Sequence, residues 1–146
     1  MSGKIRILLI EDEPAIVKTI GKRLEIAGYE VLTALDGQDG LMKAKISNPT
    51  AIILDLMLPK LSGFEVCKTL KADPAYQKIP IIIFTAKGQE TDESLCRELG
   101  ANAYINKAKQ GKVLIEQIEV LLGRFLREAE EAAAQPPPAD GTAPAA

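Results

Sequence analysis

The chain has 146 residues, enough for one domain with its own core. Its 47% hydrophobic and 26% charged residues are those of an ordinary globular protein, and no apolar stretch approaches the roughly 20 residues that span a bilayer. A net charge of −2 argues against direct nucleic-acid binding, and the lack of histidine excludes a Ser-His-Asp triad, a histidine–zinc site and an imidazole base.

Residues 4–10 form an apolar strand, Ile5-Arg6-Ile7-Leu8-Leu9-Ile10, which ends in Glu11-Asp12-Glu13. The segment before it lacks a signal-peptide layout, so the expected location is the cytoplasm, with no membrane insertion. Residues 14–28 read as a helix, with Ile16, Ile20, Leu24 and Ala27 at helical spacing, Pro14 in the first turn and Gly28 at the end. A short strand covers 30–34. Asp36 can cap a helix over 37–47, with Leu41 and Ala44 inward, which Asn48-Pro49 stops.

Ala51-Ile52-Ile53-Leu54 opens a second apolar strand, 51–55, and it too ends in an acid, Asp55, just before Leu56-Met57-Leu58-Pro59. Ser62 and Glu65 have capping-box spacing for a helix over 63–73, closed by Pro74. Residues 79–85 are a strand, 90–99 a polar helix closed by Gly100, and 103–106 a short strand. A long helix over 111–131 carries Leu114, Ile118, Leu121, Leu122 and Phe125 on one face. Cys67 and Cys96, both on helices, read as reduced, half-buried small hydrophobes.

Five strands alternating with five helices argue for an α/β fold, a doubly wound parallel sheet covered on both faces with right-handed crossovers. Residues 1–128 form the domain. Residues 129–146 read as an Ala/Pro-rich disordered tail or linker, for the last fifteen residues hold seven alanines and four prolines.

In such folds ligands bind beyond the carboxyl ends of the strands. Glu11, Asp12, Asp55, Thr85 and Lys107 all lie at or just after strand ends, so the fold gathers them at one rim. Carboxylates held close repel one another unless a cation sits between them. An open, all-oxygen site of two carboxylates, a backbone carbonyl and water suits Mg2+, with Mn2+ as the alternative. A hydroxyl (Thr85) and an ammonium (Lys107) facing such a site make a cradle for a tetrahedral dianion. An Asp55 carboxylate oxygen is then the attacking atom, and the product is an acyl phosphate.

These motifs together resemble the receiver domain of two-component response regulators. The matching segments are Ile7 to Pro14, Asp55 to Gly63, Ile82 to Ala86 and Gly100 to Lys107, in order and at the family's separations over about residues 4–125. The resemblance implies a flavodoxin-like strand order, 2-1-3-4-5. It makes Asp55 the phosphoacceptor and gives a metal to Asp12, Asp55 and the Met57 carbonyl, with Glu11 acting through a bound water. It assigns phosphoryl contacts to Thr85 and Lys107, and a switch to Thr85 and Tyr104.

The resemblance also implies the partners: a sensor histidine kinase or a histidine phosphotransfer protein as donor, and a downstream protein target on the face of residues 90–125. A homodimer is the other use of that face. The chain is expected to catalyse only its own phosphorylation and dephosphorylation. Met57 and Lys87, two residues beyond Asp55 and Thr85, are expected to obstruct the water that attacks the acyl phosphate and so to lengthen its life. Two positions depart from the common pattern: Glu11, where aspartate is frequent, and Ala108, where proline usually follows the lysine.

Other readings are a receiver-like scaffold that phosphorylation does not switch, or the receiver part of a larger regulator. A flavodoxin-like mononucleotide binder lacks its Gly/Ser/Thr-rich loop after the first strand. A haloacid-dehalogenase-type phosphatase would need an Asp where Met57 stands.

Overall fold

The computed structural model describes residues 5–86, 90–106 and 111–134. In chain order the elements are β1 (Arg6–Ile10), α1 (Pro14–Ile26), β2 (Glu30–Ala34), α2 (Gly37–Ser47), β3 (Ala51–Leu54), α3 (Gly63–Ala72), β4 (Ile81–Thr85), α4 (Glu90–Glu98), β5 (Ala103–Asn106) and α5 (Gly111–Ala134). The five strands make one parallel sheet in the order β2-β1-β3-β4-β5. This is the flavodoxin-like order expected from the sequence.

Side chains alternate across a strand, so each apolar run feeds two cores. Ile7, Leu9, Ile53, Ile82 and Phe84 point to one face, where Ile20 and Leu24 of α1 and Ile118, Leu122 and Phe125 of α5 cover them. Leu8, Ile10, Ile52, Leu54, Ile81 and Ile83 point to the other, under Ala44 of α2, Val66, Cys67 and Leu70 of α3 and Cys96 of α4. β1, β3 and β4 lie inside the sheet; the acids emerge at the carboxyl ends of β1 and β3, and Thr85 closes β4.

The helix ends follow the sequence signals. Pro14 occupies the first turn of α1. At its other end, Gly28 at φ 102° lets its own N–H reach Glu25 O and that of Tyr29 reach Leu24 O, a Schellman closure. Asp36 caps α2 by accepting from Asp39 N at 2.8 Å, and Ser62 caps α3 by accepting from Glu65 N at 3.3 Å.

Several boundaries shift by a few residues from the sequence reading, and three shifts matter for the site or the tail. β3 ends at Leu54, leaving Asp55 just outside the strand. β4 begins at Ile81 rather than at residue 79, because Pro80 has no N–H for a ladder and the Ile79 N–H turns back to Tyr76 O. α5 runs through Ala134, so residues 129–134, which the tail reading included, are helical. Alanine and glutamate are strong helix formers, which is why these residues continue the helix. Among the described residues no helix is long and apolar enough to cross a membrane.

Candidate metal centre

β1 and β3 are paired with Ile10 opposite Leu54, so the residues that follow them emerge side by side. Backbone bonds extend the alignment beyond the strands. Asp55 N donates to Ile10 O at 3.0 Å, and Glu11 N to Ala34 O at 2.9 Å. The sheet thereby sets two carboxylates at neighbouring strand ends, with Asp12 at the turn into α1.

Glu11 and Asp55 are 1% and 4% exposed, while Asp12 faces solvent. Carboxylate oxygens of all three lie within 4.8 Å of one another. Local backbone bonds aim two of them. Glu13 N donates to Glu11 Oε2 at 3.1 Å, and Met57 N to Asp55 Oδ1 at 3.3 Å, each reaching back two residues, the second as an Asx turn.

Three acids this close, two of them withdrawn from water, are an arrangement that a divalent cation stabilises. The donor set is oxygen only, which suits a hard cation such as Mg2+ or Mn2+. Neither cysteine competes for it. Both belong to the hydrophobic cluster under α3 and α4. Burial pushes the Cys67 thiol up to about 11, against a weaker opposing pull from Lys71, so it stays protonated and is no ligand at neutral pH.

Thr85 closes β4, the strand next to β3, and is fully buried, with Asn106 of β5 opposite it in the register. Lys107, the next residue after Asn106, lies outside the described residues, as do Lys87 and Ala108. Met57 is 57% exposed beside Asp55. Tyr104 pairs with Ile83 and packs, half-buried, against the core beneath α3 and α4.

One residue of the site carries no role in the sequence motifs. Gly63, the first residue of α3, donates its N–H to Leu56 O at 3.0 Å, and a Cβ there would sit 2.1 Å from the Asp55 carbonyl oxygen. The helix start rests directly on the backbone that carries Asp55. A glycine straight after the cap Ser62, where a helix former is favoured, was the available signal.

The response regulator receiver domain is the family whose description fits residues 7–119 of the chain. The chain belongs to this family. Receiver domains bind Mg2+ or Mn2+ in an acidic pocket, and the Glu11, Asp12 and Asp55 cluster is such a pocket, able to hold a metal. The chain is 42% identical over 121 residues to the alkaline phosphatase synthesis transcriptional regulatory protein PhoP of Bacillus subtilis. That match covers 82% of this chain and 49% of PhoP, so the chain spans about half the length of the curated relatives it matches.

Two solved structures bear on the site. The phosphorylated cyanobacterial phytochrome response regulator RcpA is 30% identical, with a TM-score of 0.75 over 85% of this chain and 95% of that one. The Mn2+-bound form of response regulator Rcp1 is 29% identical, with a TM-score of 0.71 over 80% of this chain and 90% of that one.

Proposed function

We propose that this receiver takes a phosphoryl group onto Asp55 from a phosphohistidine of a partner histidine kinase or phosphotransfer protein. The observation that carries this is the meeting of the Glu11, Asp12 and Asp55 oxygens within 4.8 Å at the carboxyl ends of the strands, with the buried Thr85 closing the adjacent strand. Asp12, Asp55 and the Met57 carbonyl are the residues to hold Mg2+ or Mn2+, with Glu11 acting through water. Bound there, the ion would neutralise both the acids and the charge on the incoming phosphoryl group.

Asp55 supplies the nucleophilic oxygen. Its O–P bond forms as the P–N bond to the donor breaks, and that electron pair returns to the donor imidazole. The Thr85 hydroxyl and the Lys107 ammonium then hold phosphoryl oxygens, stabilising charge where it spreads in transfer. The bonds from Glu13 N and Met57 N keep the two buried carboxylates aimed beforehand, so little reorganisation is left for the reaction. No other substrate is turned over.

Drawing Thr85 toward the phosphoryl group vacates space for Tyr104. The face of α4, β5 and α5 then changes shape for a downstream protein or a second copy. A second reading is that these residues are the receiver of a larger regulator with an output domain, favoured by relatives about twice as long that are named as transcriptional regulators. In that reading nucleic-acid contacts belong to the output domain. A receiver-like scaffold that phosphorylation does not switch is the reading that Ala108 alone favours.

Incubation with Mg2+ and acetyl phosphate, or with beryllofluoride, separates the phosphoacceptor readings from the scaffold. Wild type takes up the group and Asp55→Ala takes up none. Uptake by neither leaves the scaffold. Met57, exposed beside Asp55, together with Lys87 slows loss of the phosphoryl group to water. In Met57→Asn with Lys87→Glu, phosphate release should be faster than in wild type; an equal or slower release refutes this shielding role.

A further inference from the structure

The connection from Asp55 to Ser62 contains a backbone outlier. Lys60 sits at φ 68°, and across it the Leu61 N–H donates to Pro59 O at 2.7 Å. This is a γ-turn with its centre in the left-handed region, a rare and strained form that a lysine does not favour on its own. Strain of this kind persists only where the surroundings over-determine it.

The surroundings here are the N-terminus of α2. Gly37 N donates to the same Pro59 oxygen at 3.2 Å, and a Cβ on Gly37 would fall 1.7 Å from Leu61 O. The Lys60 ammonium lies 3.6 Å from Asp36 Oδ2, while Asp36 Oδ1 caps the helix. On the far side of the turn, Gly63 is bonded to Leu56 O and rests on the Asp55 carbonyl. The segment carrying Asp55 and Met57 is thus pinned at both ends, by α3 at Gly63 and by α2 at Pro59–Leu61.

We infer that Asp36, Gly37 and Lys60 are positioning residues for the metal centre: the start of α2 holds the Pro59–Leu61 turn and thereby sets the Met57 carbonyl and Asp55 at the cation. This rests on the proposed metal role of those two residues. Gly37 is the central element, because only a residue without a side chain lets the Leu61 carbonyl lie against the helix start. The Asp36–Lys60 pair is exposed at its lysine end and adds less.

Mn2+ binding followed by electron paramagnetic resonance of the free ion, with thermal unfolding run alongside, separates positioning from stability. Lys60→Pro cannot adopt a positive φ and breaks the turn; it also loses the Asp36 pair, which Lys60→Gly loses alone. Its Mn2+ affinity should fall by about 10-fold to 100-fold, the usual cost of losing support behind a ligand, at a temperature where the melt shows the variant still folded despite a lowered midpoint. Gly37→Ala should lose affinity in the same range. Lys60→Gly, which accepts the turn freely, should bind within about 3-fold of wild type, since it loses only the exposed pair.

Folded Lys60→Pro with wild-type affinity overturns the inference. Equal losses in Lys60→Gly and Lys60→Pro also overturn it, since the turn would then not be what matters. Wild type that binds no more Mn2+ than Asp55→Ala overturns the metal reading itself and this inference with it.

Discussion

The acid rim and the α4–β5–α5 face are built on opposite terms. At the rim, Glu11, Asp55 and Thr85 are buried, and backbone bonds, two helix starts and a strained turn hold the loops around the acids. On the face, Leu95 and Val120 are 42% and 71% exposed, and the Glu93–Arg97 pair lies largely in solvent. A cleft of about 790 Å3 opens there beside Tyr104, Arg97, Val120 and Arg124. Among the described residues of α4, only Cys96 is fully buried. Chemistry on a dianion needs oxygens placed beforehand, whereas a surface that must change shape needs elements that cost little to move. Tyr104 packs on the core under α3 and α4 and lines the cleft.

The packed core beneath α3 and α4 has an alkaline signature. Burial raises the Cys67 thiol from 9.0 to about 11 in the folded chain. The neutral thiol therefore contributes stability that is fully present below pH 9 and is lost as pH rises toward 11. A shift of this size corresponds to about 2–3 kcal/mol. Burial lowers the pKa of the neighbouring Lys71, whose Nζ donates to Gln77 O and Ile79 O, and this partly opposes the loss. Urea unfolding at pH 8 and pH 10.5 should give a lower stability at the higher pH, and Cys67→Ala should flatten that difference. A wild type equally stable at both would mean that the interior beneath α3 is less closed than the packing around Cys67 implies.

The fold and the rim were legible in the sequence for the same reason: both depend on short-range pattern. Apolar runs ending in acid gave β1 and β3 with Glu11 and Asp55, and the caps at Asp36 and Ser62 act where the sequence put them. The remainder depends on contacts between distant segments. Nothing local marks Lys60 as left-handed, because lysine has no such preference and the conformation is imposed by Gly37, far away in the chain. Gly37 itself reads as a poor first helical residue until Leu61 is seen lying against it. Alanines in 132–134 looked like tail by composition, yet the same composition favours continuing α5. Met57 lies in the open beside Asp55, and the bond from its N–H to Asp55 Oδ1 is a property of the turn rather than of its side chain.

The smallest expected effect tests the open side. Val120 stands on α5 beside the cleft with 71% of its surface in water, so it buries little on folding of a single chain. Val120→Ala should change stability by no more than about 0.5 kcal/mol, upward if at all, because alanine is the better helix former. The same substitution should weaken any protein that reads the face, since an exposed apolar side chain beside a cleft has contact area to give only to a partner. A fall of more than about 1 kcal/mol in wild-type stability would break the contrast with the rim. Val120 would then be buried in solution, and a second copy is the cover the chain itself can supply. Repeating the melt over a range of protein concentrations separates the cases: a midpoint that rises with concentration in wild type and not in Val120→Ala places the second copy on this face, whereas a constant midpoint leaves the face open for a different protein.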